Sequence, residues 1–159
     1  MGKKGFSLLE LLVVIVMIGI FAAIAFPRYH LAVEKARASE ALVWMKTLAE
    51  AEERYYLATG NYTTDYSQLD INRPDSRQYI IDLDSSVYNI RVIPQGFAAG
   101  KYHLRYFMQN VPATSYPGRF LCLHPEGDTS YKNLCLSLGG TGEHRYKHMT
   151  TAQTAYFLK

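Results

Sequence analysis

Glu10 is the only charged residue between Phe6 and Phe26. A carboxylate in such a stretch asks for a partner, since a charge at the centre of a membrane helix costs roughly 2.5–3.5 kcal/mol on insertion scales. Two cysteines, Cys122 and Cys135, flank the turn Pro125-Glu126-Gly127-Asp128. Paired with each other they form a disulfide; joined by imidazoles they would form a metal site. His124 is close to Cys122, and His144 and His148 have the i,i+4 spacing that a helix would align. Asp65, Asp70 and Asp75 offer oxygen ligands, but their spacing matches no calcium loop, and solvated turn residues account for them. Gly139-Gly140-Thr141-Gly142 lacks the lysine and hydroxyl of a phosphate loop. No nucleophile, base and orienting group fall at a catalytic spacing. The chain is therefore expected not to be an enzyme and to need no metal or cofactor.

The element that positions Glu10 is the apolar run that continues to Phe26. At about 1.5 Å per residue a helix of this length spans about 30 Å, the thickness of a bilayer's hydrocarbon core. Lys3 and Lys4 precede it, and basic residues on that flank keep the N-terminus cytoplasmic and send the chain beyond Phe26 across the membrane. A secretory signal peptide has a shorter apolar middle, no carboxylate and a small-residue cleavage site. A plain single-span anchor explains the length and the lysines and leaves Glu10 unexplained.

Gly5, Phe6, Glu10 and the unbroken apolar helix after them resemble the N-terminus of type IV pilins and of the related type II secretion pseudopilins. Pro27 stands where many members carry a helix-bending proline. Ser7 and Leu9 stand where Thr and Ile are commoner, a conservative departure. The close match covers about the first thirty residues. The resemblance implies a basic leader, 1–5, removed by a prepilin peptidase that cuts between Gly5 and Phe6 and methylates the new Phe6 amine. It also implies that Glu10 complements the Phe6 amine of a neighbouring subunit during assembly. Phe6 and Glu10 share a helix face, and a first-turn carboxylate is favoured by the helix dipole. Dipole complementation alone is the simpler reading of Glu10. Gly19 and Pro27 punctuate the helix. They predict a fixed kink at the membrane exit or, as the resemblance implies, a segment that stretches inside a filament, and both readings stand.

After the membrane segment, 6–27, the pattern turns amphipathic over 28–60. Leu31, Ala38, Leu42, Met45, Leu48, Ala49 and Tyr56 recur at three- and four-residue steps. Glu34, Lys35, Arg37, Glu40, Lys46, Glu50, Glu52, Glu53 and Arg54 fall on other faces, with Glu50 and Arg54 as a helix-supporting pair. Gly60-Asn61 supplies a stop. One helix of about fifty residues results. Residues 61–77 read as a connecting loop anchored by Tyr62, Tyr66 and Leu69, with a helical turn at Ser67-Gln68-Leu69. Strand signals occupy 78–82, 87–93, 102–109 and 119–124, with loops marked by Pro94, Pro112, Pro117 and Pro125. Short connections imply an antiparallel sheet, and the second half of the helix covers one face. The expected fold is α+β and type IV pilin-like, with residues 61–159 holding the loop, the sheet and a disulfide-closed C-terminal region. Residues 139–159, mildly basic through Arg145, Lys147 and Lys159, read as a solvated surface.

The composition narrows the partners. Removing Lys3 and Lys4 takes the formal charge from +3 to +1, so nucleic acid binding has no electrostatic support. With the head outside the cytoplasm, Cys122 and Cys135 default to a disulfide, and the resemblance agrees, since many type IV pilins close a C-terminal loop this way. The expected function is a structural subunit of a type IV pilus, major or minor. It would be inserted in the bacterial inner membrane and then assembled, alone or mixed with other pilins, by the inner-membrane machinery into an extracellular filament. The alternatives are a pseudopilin of a type II secretion system and a membrane-anchored binding module.

Overall fold

The computed structural model describes residues 7–84, 89–111, 116–148 and 151–158. The first element is the helix α1, Leu8–Thr59. Gly60 ends it by adopting φ 78°, and its N–H reaches the carbonyl of Tyr56 at 2.7 Å. The chain divides into two compact units, residues 1–34 and 35–159.

The larger unit is an α+β head. Its strands are β1 (Tyr79–Asp84), β2 (Asn89–Pro94), β3 (His103–Phe107) and β4 (Phe120–Pro125). A helix α2 (Thr129–Ser137) comes next, then β5 (Gly140–His148) and β6 (Thr151–Leu158). They form one antiparallel sheet in the order β1-β2-β3-β4-β6-β5. Period-two alternation divides the sheet into two faces. Tyr102, Leu104, Tyr106 and Met108, which alternate along and just beyond β3, pack with Cys122, Tyr156 and Leu158 against Ala38, Ala41, Met45, Leu48 and Ala49 of α1. Tyr131, Leu134 and Cys135 of α2 belong to the same cluster. On the opposite face Phe107, Leu121, Leu123 and Ala155 make a smaller cluster, flanked by Tyr116 and Phe157. The four expected strands are present with shifted ends; Val87, Tyr88 and Pro112 lie outside the described residues. Pro94 and Pro125 close strands instead of lying in loops.

The C-terminal region departs from expectation. The segment expected to be a solvated surface supplies α2's neighbours β5 and β6, and Thr154, Ala155, Tyr156 and Leu158 are buried. β5 sits at the sheet edge and carries the charges, while β6 lies inside the sheet and opens on Thr-Ala-Gln-Thr-Ala, so neither shows a clear alternation of apolar and polar residues. His144 and His148 are on this edge strand and not on a helix. Gly140 is required by close approach, since a Cβ there would lie 2.6 Å from the carbonyl oxygen of Cys135.

The connecting loop is tied down as expected by Tyr62, Tyr66 and Leu69, with a 3-10 turn at Tyr66–Gln68. Other side chains depart from the sequence expectation. Arg54 turns to Asp70, with bonds of 2.9 and 2.8 Å, and that pairing holds the Asp70 carboxyl below its ordinary range. Glu52 and Glu34, expected on faces other than the apolar stripe, are buried all the same. Glu52 accepts the N–H of Thr63 at 3.1 Å, while its other oxygen is buried without a partner among the described residues.

Burial is the main cause that pushes the Glu52 carboxyl up from 4.5 to about 7, with the Thr63 N–H opposing it and adjacent Glu53 adding to it. The folded chain therefore holds a proton that the unfolded chain has released between these values. Through this group stability falls as pH rises across the window, by on the order of 3 kcal/mol. Glu52→Gln keeps an acceptor for Thr63 and removes the charge. In thermal melts of the detergent-solubilised chain at pH 5 and pH 8, the substitution is expected to raise the melting temperature at pH 8 and flatten the pH dependence. An unchanged pH dependence would show that Glu52 does not titrate in this range.

Candidate functional site

The start of α1 is built from Ser7 and Glu10. The N–H of Leu9 donates to Ser7 Oγ at 3.3 Å, and the N–H of Ser7 donates to Glu10 Oε2 at 3.1 Å. The N–H of Leu11 closes the first turn on the carbonyl of Ser7 at 3.2 Å. A hydroxyl residue with a glutamate three positions later, each satisfying the other's end of the chain, is a capping box. Its signal, Ser-x-x-Glu before an apolar run, is present in the sequence beside the dipole and assembly roles expected of Glu10. The reach back to Ser7 turns the carboxylate toward the N-terminal end of the helix. One accepted bond leaves it with lone pairs to spare. Gly5 and Phe6, the expected cleavage and methylation residues, lie outside the described residues.

Beyond the cap, the large apolar side chains from Leu8 to Phe26 are all exposed, none by less than 41%. Their helix is long and apolar enough to cross a membrane. A surface of this kind is stable only in lipid or against other apolar helices. α1 runs through Gly19 and Pro27 without a break. A Cβ at Gly19 would meet nothing within 4 Å, so nothing within the described chain requires glycine there.

In the head, Cys122 of β4 and Cys135 of α2 form the disulfide, with Cα atoms 5.5 Å apart and both residues fully buried. α2, absent from the sequence expectation, is started by Asp128, which accepts the N–H groups of Ser130 and Tyr131 at 3.0 and 3.2 Å. The bridge thus fastens a short helix to the sheet. His124, a candidate metal ligand by sequence, is a core residue. Its ring lies nearly parallel to that of Tyr156 at 5.7 Å, and its Nδ1 bonds the carbonyl of Pro125 at 2.8 Å.

A capped apolar helix on a disulfide-closed α+β head has counterparts among known proteins. Residues 1–26 match the family model of the prokaryotic N-terminal methylation motif. The first 26 residues are thus similar to the N-terminus of prepilins, and the relatives that match further are type IV pilins and fimbrial proteins. A type IV major pilin protein of Neisseria gonorrhoeae is 35% identical over 74 residues, 46% of this chain and 45% of that protein. A fimbrial protein of Neisseria meningitidis serogroup B is 40% identical over 60 residues, 38% of this chain and 35% of its own length. A fimbrial protein of Moraxella nonliquefaciens is 31% identical over 114 residues, 72% of this chain and 60% of its own length. The matches span between about a third and three fifths of these pilin relatives. No solved structure matches the chain significantly.

Proposed function

We propose that the protein is a structural subunit of a type IV pilus. The observation that carries this reading is the exposed apolar helix that begins at the Ser7–Glu10 cap, within the prepilin motif. A plain anchor needs the apolar length and gains nothing from a carboxylate at its start. A subunit that leaves the bilayer to join like helices gains a charge that sets the axial register.

In this reading the precursor sits in the inner membrane with Lys3 and Lys4 cytoplasmic. A prepilin peptidase cuts between Gly5 and Phe6 and methylates the Phe6 amine. Glycine suits the cut because it lets the backbone enter a narrow site in extended form. The mature helix then assembles, with copies of itself or with other pilins, through the apolar surface and Glu10, and the head is carried outside. As a filament subunit the protein needs no active site and no cofactor. The Cys122–Cys135 bridge supports a pilus subunit over a secretion pseudopilin, because the bridge is the commoner feature of pilins. Mass spectrometry of the mature chain tests the reading. The expected N-terminus is Phe6 carrying one added methyl group. A chain cut after Ala25, or an uncut Met1 in intact filaments, would overturn it.

A further inference from the structure

α1 keeps its apolar surface as far as Phe26, and an aromatic and cationic patch follows. Arg28 and Tyr29 are both exposed, Tyr29 by 66%. Tyr29 meets the His30 ring edge-on at 6.2 Å, and His30 meets the Phe26 ring edge-on at 4.5 Å. The rings thus hold one another, while the cation beside them is unanswered. The positions one turn away from Arg28 are Ile24, Ala25, Leu31 and Ala32, and none is acidic. Glu34, the first carboxylate after it in the chain, is buried. Among the described residues the Arg28 guanidinium makes no ion pair and the Tyr29 hydroxyl no hydrogen bond.

Helix length decides what surrounds this patch. A hydrocarbon core of about 30 Å takes about twenty residues at about 1.5 Å each. A span that begins at Leu8 therefore ends at about residue 28, and one that begins level with Glu10 ends at about residue 30. In either register Arg28 and Tyr29 lie within one helical turn of the boundary. The headgroup layer adds about 5–7 Å beyond that boundary, and an arginine side chain reaches into it. The basic residues that set topology collect on the cytoplasmic flank, and Lys3 and Lys4 are already there. Arg28 stands on the opposite flank, where it adds nothing to that orientation and needs another use.

The chemistry available in the headgroup layer is phosphate. A guanidinium presents paired N–H donors that match two oxygens of one phosphate, and the bonds are charge-assisted. Tyrosine is enriched at this depth because its ring suits the boundary and its hydroxyl the headgroups. A zwitterionic lipid carries its own ammonium for its phosphate, whereas an anionic lipid does not. The unpaired charge of Arg28 therefore selects an anionic phospholipid.

We propose that Arg28 and Tyr29 bind the phosphate of an anionic phospholipid in the leaflet on the exported side. Arg28 takes two phosphate oxygens, and Tyr29 donates its hydroxyl to the same headgroup. The inference rests on the membrane-inserted precursor of the filament reading and adds to it the lipid that fixes the depth of α1. The contact is given up when the helix leaves the bilayer, so it holds the precursor in the membrane until assembly draws it out.

The test uses the full-length chain with Lys3→Gln and Lys4→Gln, which removes the basic residues of the other flank. This parent chain is reconstituted into bilayers of equimolar phosphatidylglycerol and phosphatidylcholine, and the lipids that stay bound are weighed by native mass spectrometry. Phosphatidylglycerol is expected to be retained over phosphatidylcholine. Arg28→Gln is expected to lower that retention about fivefold, the worth of one basic residue at an anionic surface, and Arg28→Lys to recover part of it. Lys101→Gln, which removes an exposed charge from the head, is expected to change nothing. Equal retention by the parent chain and Arg28→Gln, or an equal fall with Lys101→Gln, would overturn the lipid site and leave the filament reading standing. Release of the parent chain from the bilayers by alkaline carbonate would overturn the membrane-inserted precursor itself.

Discussion

Cells whose only copy carries Glu10→Ala are expected to insert and process the chain and to assemble no filaments. The substitution removes the only charge of the apolar segment, so partition into the bilayer is unimpaired or improved. It also removes the acceptor of the Ser7 N–H, a capping loss of about 1 kcal/mol that a helix supported by lipid along most of its apolar length tolerates. What it abolishes is the charge proposed to meet the Phe6 amine of the adjacent subunit. Taking both charges from water is offset only when they meet with good geometry, and a slip of one residue displaces the carboxylate by about 1.5 Å. Glu10→Gln separates the two roles. The amide keeps an acceptor for Ser7 and lacks the charge, so a defect in this variant assigns assembly to the charge and not to the cap. The measurements are membrane fractionation, the mass of the mature chain and the yield of sheared filaments. Filaments of normal length and number from Glu10→Ala would refute the pairing.

Removing the Cys122–Cys135 bridge is expected to lower the melting temperature of the detergent-solubilised chain by on the order of 10 °C. The bridge closes a loop with a sequence separation of 13, for which chain entropy gives about 3 kcal/mol. A domain of this size loses a few degrees per kcal/mol. The loop contains the Asp128 cap and all of α2 before Cys135, so the bridge and the cap hold the same helix against the sheet. Tyr131 and Leu134 still pack on the core when the bridge is absent, which is why the fold survives at low temperature. Cys122→Ala with Cys135→Ala keeps the site apolar, and wild type under reductant should match it. Equal melting temperatures with and without reductant, in protein shown to be bridged at the outset, would contradict this account.

Much of this molecule is legible in its sequence because its periods are clean. α1 announces itself by an apolar run that becomes a three-and-four stripe, and Gly60 marks its end. The face of β3 can be assigned residue by residue from Tyr102, Leu104, Tyr106 and Met108. Legibility fails where tertiary context overrides pattern. β5 is an edge strand rich in Glu, His, Arg and Lys, a composition that blunts edges and also imitates a solvated tail. β6 is central, yet its Thr-Ala-Gln-Thr-Ala stretch is too small and polar to advertise burial. Glu52 follows the charged register of α1 and is nevertheless enclosed beneath the connecting loop, because that loop needs an acceptor for Thr63. The capping box at Ser7 is in plain view as a spacing and is obscured by the stronger signal of an intramembrane charge.

The strand order carries a consequence for the sequence of events in folding. β6 comes after β5 in the chain and yet lies between β5 and β4. β5 therefore has no place on the sheet until residues 151–158 have emerged. The cysteines and α2 are all made before that moment, so the bridge can close on a four-stranded sheet whose border at β4 is still open. A polypeptide interrupted between β5 and β6 would present β4, with its own Leu121 and Leu123 and the neighbouring Phe107 of β3, as a raw margin to any extended segment nearby. β6 is thus the keystone of the sheet, since it covers the margin of β4 and gives β5 its place.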